Sequence, residues 1–356
     1  MSDRVLLLGG AGTVGSRVGL ALIDAGYSLR CLARSKGHRN LAEIESRGGE
    51  IVYGDMNEDA ALAAALKDCR FFVHSAAPFP WSGLHLRQKG MLTQWIPQVR
   101  RHFVLAREAG IERAVFTSSL SCIGLAPRGT LADESLPYDA RRTSGGNYYA
   151  VKAAMERAVL ELTTGEIPQG PPTVIVNPTG LVGEGSRNAR LSAVCVFYQG
   201  LTPFMVDATM NFVDTRDVAR GHVLALQKGR PGERYILGGW NTTLRELAEK
   251  VCSLAGIHRP MILPRLGAYA GAIFAEWWAW LLRTTPGALS LTSYYHMEYG
   301  QHYSSEKARR ELGYDPAVDL KDAILRELAW HGVALTGPPT RPVSEAPAAG
   351  APPADP

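Results

Sequence analysis

Residues 4–27 read RVLLLGGAGTVGSRVGLALIDAGY, and the fold turns on how this stretch divides. RVLLL is a short apolar run ended by glycines, and SRVGLALIDAGY carries a helical pattern. Between them Gly9, Gly12 and Gly15 stand at G-x-x-G-x-x-G spacing. Glycines there let the backbone approach a pyrophosphate, whose charge then rests at the helix N-terminus. A glycine triplet alone says little, because glycine-rich turns are common; the strand–turn–helix context gives it weight. The stretch is read as a dinucleotide-binding turn, with Gly9, Gly12, Thr13, Val14 and Gly15 against the cofactor.

Working outward, the same alternation continues. SLRCLAR and EIVYGD read as strands, AALAAALKDC as helix, RFFVHSAA as strand and IPQVRRHFVLAREAG as helix. RAVFTSS, YAVKAAMERAVLEL and PTVIVNPTG follow as strand, helix and strand. Strands alternating with helices of about 10 to 15 residues indicate parallel βαβ units. The expected fold class is α/β: a Rossmann-type doubly wound parallel sheet over residues 1–176, with a smaller C-terminal α/β lobe over 177–335 partly interleaved with it. From 336 to 356 Pro and Ala dominate without periodicity, which predicts a disordered tail.

Composition narrows the function. At 356 residues, 46% apolar and 20% charged, the chain has the balance of a soluble globular enzyme of more than one core. A formal charge of +4 with scattered Lys and Arg gives nucleic-acid binding no support. The five cysteines (Cys31, Cys69, Cys122, Cys195, Cys252) include no C-x-x-C, and the nine histidines form no ligand-like pair. Neither a disulfide framework nor a metal site is expected. No signal-peptide pattern opens the chain, so a cytoplasmic location is expected. One segment stands apart: residues 266–282, LGAYAGAIFAEWWAWLL, are apolar except for Glu276. They are short for a membrane span, which predicts a buried helix, the alternative being one that lies on a membrane surface.

The end of the second strand bears on the choice between NAD and NADP. An acid there would bond the ribose 2′-hydroxyl, whereas a basic residue accommodates a 2′-phosphate. The sequence places Arg34 at that point, with Lys36 and Arg39 nearby, so NADP is favoured over NAD. Asp55, followed by Met56, is positioned to face the adenine side.

Residues 145–156, GGNYYAVKAAME, set two tyrosines before a lysine. Tyr148 lies four residues and Tyr149 three residues from Lys152, so helix geometry alone does not choose between them. The glycine turn, FTSS after a later strand and Y-x-x-x-K on the next helix together resemble the extended short-chain dehydrogenase/reductase family. The resemblance is to its dihydroflavonol-reductase and 3β-hydroxysteroid-dehydrogenase-like branch, close to the hopanoid-associated sugar epimerase group. It covers about residues 3 to 333 through blocks such as GDMNEDAAL, TSSLSCIGL, VIVNPTGLVG, FVDTRDVARGHVLAL and SSEKARRELGYDP. It implies Tyr148, Lys152 and Ser119 as catalytic residues, with Tyr149 a neighbour in the wall. It also implies Thr117 and Ser75–Ala76–Ala77 along the cofactor, Asn177 and Pro178 near the nicotinamide, and a homodimer through two long helices.

The residue types suit carbonyl reduction. A hydride must reach carbon and a proton must reach oxygen, and a tyrosine of pKa about 10 is poorly matched to neutral pH. A nearby ammonium favours the phenolate and lowers that value. Tyr148 is then general acid/base, Lys152 tunes it and holds ribose hydroxyls, and Ser119 donates to the developing alkoxide.

The sequence departs from the family where an asparagine of an N-x-x-G-T stretch is usual. Trp95 falls near that place, Gln94 or Gln98 offers a polar substitute, and Pro97 is expected to disturb the helix. Aromatic and apolar residues around the expected pocket (Phe79, Trp81, Trp95, Phe204, Met210 and the EWWAWLL segment) suggest a hydrophobic small-molecule substrate. Arg187 and Arg190 leave a sugar nucleotide as the rival, through an epimerase or dehydratase; a non-catalytic NADP sensor is the reading from another class.

Overall fold

The computed structural model describes residues 3–77, 86–127, 129–138, 147–186, 189, 192–282, 291, 294 and 302–333, and of 86–93, 147 and 148 the backbone alone. Strands β1 (Arg4–Leu8), β2 (Ser28–Ala33), β3 (Glu50–Tyr53), β4 (Phe71–His74) and β5 (Arg113–Thr117) alternate with helices α1 (Thr13–Asp24), α2 (Arg39–Ser46), α3 (Asp59–Leu66) and α4 (Leu86–Glu108). A two-residue strand β6 (Leu131–Ala132), helix α5 (Asn147–Thr164), β7 (Thr173–Pro178), β8 (Gly180–Val182), α6 (Ala193–Tyr198), β9 (Phe204–Met205), β10 (Thr209–Asp214) and α7 (Thr215–Lys228) follow. The order then runs β11 (Arg234–Leu237), β12 (Trp240–Thr243), α8 (Leu244–Ala255), β13 (Met261–Ile262), α9 (Arg265–Leu281), β14 (His302–Tyr303), α10 (Glu306–Leu312) and α11 (Leu320–Trp330).

Seven strands form one sheet in the order β11-β7-β5-β4-β1-β2-β3, and every neighbouring pair is parallel. Alternation along each strand sends side chains to opposite faces. On one face Val5, Leu7, Val73, Val115 and Val174 pack with Val18 and Leu22 of α1 and Val218 and Leu226 of α7. On the other, Leu6, Leu8, Phe72, Phe116 and Ile175 pack with Leu62 and Leu66 of α3, Phe103 of α4, and Met155 and Val159 of α5. Both faces are covered, which is why these strands read as continuous apolar runs. Strand order reverses between β1 and β4, and ligands of such sheets sit outside the strand C-termini at that crevice.

The smaller lobe has its own core, in which Val182, Phe197, Phe212, Leu247, Val251, Ile324 and Leu328 meet. A three-stranded sheet, β12-β10-β8, carries it. Helix α8 starts at a reciprocal Thr243–Glu246 capping box and stops at Gly256 in the left-handed region. After β10 the chain returns to the main sheet through α7 and β11, and its last helix, α11, packs in the lobe core.

Two expectations are corrected. Helix α4 runs unbroken through Pro97; the missing N–H costs one hydrogen bond without ending the helix, while Phe103 and Val99 after it are fully packed. Helix α9 is not buried. Only Ala268, Ala272 and Ala279 are buried along it, and Trp277, Trp278 and Trp280 are 51%, 47% and 76% exposed. Among the described residues no helix is long and apolar enough to cross a membrane. The tail from 336 onward lies outside the described residues.

Candidate active site

The glycine turn closes on itself through Gly12 N–H to the Gly9 carbonyl (2.9 Å). Gly9 has φ +91°, and a Cβ there would stand 2.7 Å from the Ser75 backbone, so β4 leaves the sheet directly against the turn. A Cβ on Gly15 would lie 2.1 Å from the Gly9 oxygen, which brings α1 hard against the loop. No side chain caps α1, so the N–H groups of Thr13, Val14 and Gly15 point into the crevice with the helix dipole behind them. Asn40 at the start of α2 holds the turn from outside, donating to the carbonyls of Ala11 (3.0 Å) and Gly185 (3.1 Å).

At the end of β2, Arg34 is exposed and has no ion-pair partner among the described residues. Lys36 lies over the Tyr53 ring. Arg39, expected beside it, is engaged elsewhere: its guanidinium stacks 3.6 Å from the Trp330 ring centre and donates to that residue's carbonyl. Asp55 accepts from the Asn57 N–H (2.9 Å) in a local turn, and Met56 packs on the sheet core. Ser75, Ala76 and Ala77 are half-buried after β4, and the buried Ser75 Oγ has no partner among the described residues.

Two of the three catalytic candidates, Ser119 and Lys152, lie at the end of β5. Ser119 begins a turn of 3₁₀ helix (Leu120–Cys122), and its Oγ accepts from the Ser121 N–H (3.2 Å). That leaves the hydroxyl proton to be donated elsewhere. Lys152, one and a half turns into α5, is only 3% exposed and its Nζ donates to the Thr117 carbonyl (2.8 Å) above the Phe116 ring. Burial pulls its pKa down to about 8. Tyr148 lies in the first turn of α5, four residues before Lys152; its side chain is outside the described residues, as are those of Phe79, Trp81, Arg187 and Arg190. The Thr117 hydroxyl is turned inward: His222 gives its Nδ1 proton to the Val218 carbonyl (2.8 Å), so its Nε2 accepts from Thr117 Oγ1 (2.8 Å).

Asn177 is completely buried in β7, beside the buried Pro178. Its amide donates to the Ser119 carbonyl (3.0 Å) and to Glu156 Oε2 (2.8 Å), while Oδ1 has no partner among the described residues. Glu156 is the residue that sequence reasoning missed. It is 4% exposed, sits one turn after Lys152, and gathers Ser118 Oγ, Asn177 Nδ2 and Arg234 Nη1. Its spacing of four from Lys152 was the available signal. A second missed feature underlies Ser75: His74 Nε2 and His102 Nδ1 are 3.0 Å apart in the core, and burial pushes both imidazoles down, His102 to about 4.

The substrate candidates are scattered. Trp95 packs on the sheet core, Met210 on the lobe core, and Phe204 is 39% exposed on β9. The exposed tryptophans of α9 do not enclose a pocket, which removes EWWAWLL from the aromatic lining. In the lobe, Cys195, Glu327 and His331 bring potential ligand atoms within 4.8 Å of one another. Glu327 is committed to the Gly183 N–H (2.9 Å), so the trio reads as lobe packing.

The residues present fit a dinucleotide: a cradle that admits no Cβ and an uncapped helix start. Comparisons agree. The chain is 28% identical over 355 residues to a Synechocystis sp. protein provisionally named dihydroflavonol 4-reductase, covering 94% of this chain and 97% of the relative. It is 27% identical over 332 residues to sterol demethylase protein B of Methylococcus capsulatus, covering 91% and 97%. The crystal structure of gox2253 superposes with a TM-score of 0.78 at 32% identity, covering 93% of this chain and 98% of that one. Residues 5–238 match the family described as the NAD dependent epimerase/dehydratase family, and the chain belongs to it.

Proposed function

We propose that the protein is an NADP-dependent oxidoreductase that interconverts a ketone and a secondary alcohol on a bulky, apolar, polycyclic substrate. The observation that carries the reading is the joint placement of Lys152 and Ser119 at the end of β5, with Lys152 Nζ on the Thr117 carbonyl and the Ser119 hydroxyl proton uncommitted. When bound, the nicotinamide supplies or accepts the hydride. Ser119 donates to the substrate oxygen as negative charge grows there. Tyr148 passes a proton to that oxygen, and the Lys152 ammonium, one helical turn away, favours the phenolate left behind. Asn177, pinned by Glu156, fixes the Ser119 carbonyl.

Exposed Arg34 at the end of β2 supports the 2′-phosphate form of the cofactor. The apolar substrate class is supported by the names of relatives, a sterol demethylation protein and a dihydroflavonol reductase, since both name rigid polycyclic molecules. The family description favours a second reading, epimerisation or dehydration of a sugar nucleotide with retained oxidised cofactor. NADPH oxidation against a panel of 3-ketosteroids, dihydroflavonols and UDP-sugars separates the two. Net NADPH consumption with a polycyclic ketone supports the first; UDP-sugar conversion without net cofactor change would replace it.

A further inference from the structure

Helix α9 is built inside out. Its small residues face the protein: Ala268, Ala272 and Ala279 are at most 4% exposed, and Ala268 packs with Val206 and Ala208 of the lobe. Its large apolar residues face away. Leu266, Tyr269, Phe274, Trp277, Trp278 and Trp280 are 44–84% exposed. At about 100° per residue they fan from Tyr269, whose ring also meets that of Tyr294 (4.8 Å between centres), on one flank to Trp278 on the other, over about 180° of the helix. Phe274 lies with its ring centre 6.0 Å from those of both Trp277 and Trp278, so the outward rings form one cluster. The single acid, Glu276, is half-buried and accepts from the Leu291 N–H (3.3 Å), which leaves the outward face without charge. In the strand pair that precedes the helix, the cross-strand partners Phe204 and Met261 are also 39% and 59% exposed.

We propose that α9 docks the protein on a lipid bilayer, lying in the boundary between headgroups and acyl chains. A bilayer covers half of a cylinder lying in its surface, which matches the width of the apolar face. A second copy of the helix covers only a stripe about 100° wide and leaves Tyr269 or Trp278 in water. Tryptophan and tyrosine are the residues enriched at that boundary, where a ring is apolar and its N–H or O–H stays wet. The 17-residue helix is about 25 Å long, too short to cross the roughly 30 Å hydrocarbon core. Exposed Arg265 opens the helix and Arg283 follows it in sequence, cations suited to anionic headgroups. The inference rests on the helix and is independent of the substrate proposed above.

The test uses the full chain with vesicles of phosphatidylcholine mixed with phosphatidylglycerol, read by flotation and by quenching of tryptophan with brominated lipid. The expected result is flotation with quenching. The exposed-face variant Phe274→Ser/Trp277→Ser/Trp280→Ser is expected to lose partitioning on the order of a hundredfold, with its circular dichroism and NADPH affinity unchanged. Wild-type protein that stays out of the lipid fraction overturns the proposal. If its sedimentation is then dimeric, a second copy covers the helix; if it is monomeric and its tryptophans resist acrylamide, part of this chain does.

Discussion

Replacing Lys152 by methionine should make the cofactor-free protein more stable while abolishing turnover. The lysine is 3% exposed, and burial lowers its pKa from an ordinary 10.5 to about 8. The Cys122 thiol beside it is itself pushed up to about 12 and is neutral at pH 7, so Glu156 is the anion that offsets the ammonium. The interval between about 8 and 10.5 corresponds to roughly 3 kcal/mol by which folding disfavours the charged form. Below pH 8 that cost is present in full. Between pH 8 and 10.5 the unfolded chain holds the proton and the folded chain does not, so stability rises with pH and the cost disappears. Lys152→Met removes the cost but also the bond to the Thr117 carbonyl, itself about 1–2 kcal/mol. The net expectation is a gain of about 1–2 kcal/mol at pH 7. Urea unfolding of both proteins at pH 7 and pH 10 reads it, and the difference between them cancels other groups that titrate in that window. The advantage of the variant should shrink as pH rises and vanish or reverse near pH 10, where the lost bond to Thr117 remains but the burial cost is nearly gone. A variant less stable at pH 7, or a gap unchanged between the two pH values, would refute the burial argument.

Other expectations concern the supports of the site. Glu156→Ala leaves Arg234 and the Asn177 amide without their buried anion and should cost about 3–5 kcal/mol in urea unfolding, whereas Glu156→Gln should keep the fold and weaken NADPH binding in a fluorescence titration. Gly15→Ala drives a methyl to 2.1 Å from the Gly9 oxygen and should reduce NADPH affinity by at least about tenfold; unchanged affinity would mean the turn does not cradle the cofactor. Arg34→Asp should move preference from NADPH toward NADH by about ten- to a hundredfold in kcat/KM, the worth of a charge-assisted phosphate contact.

The parts of this account that were legible in sequence are those set by local rules. RVLLL followed by three spaced glycines fixes a strand, a turn and a helix, and each later βα alternation repeats the logic. Ser119 and Lys152 were assigned through the family resemblance that FTSS and Y-x-x-x-K carry, since spacing alone did not choose between the tyrosines. Glu156 was in plain view, four residues after Lys152, but its partners Ser118, Asn177 and Arg234 come from 21 to 78 residues away, and only the sheet brings them together. Asn40 was hidden for the same reason, since its bond to Gly185 spans 145 residues. For α9 the sequence carried the answer in a form that apolar content obscures. Ala268, Ala272 and Ala279 make one narrow side and the large rings make the other, yet the pattern alone does not say which side the lobe takes. Arg39 shows the converse: a cation at the expected place is taken by Trp330 from the far end of the chain.

The central claim is that Tyr148 protonates a substrate oxygen held by Ser119 beside a buried Lys152. The most direct measurement is single-turnover oxidation of NADPH with a 3-ketosteroid or dihydroflavonol, in wild type and in Tyr148→Phe. The account predicts turnover in wild type and a loss of about 10²–10⁴-fold in rate for the variant, with NADPH affinity unchanged. Equal rates in the two proteins would contradict it.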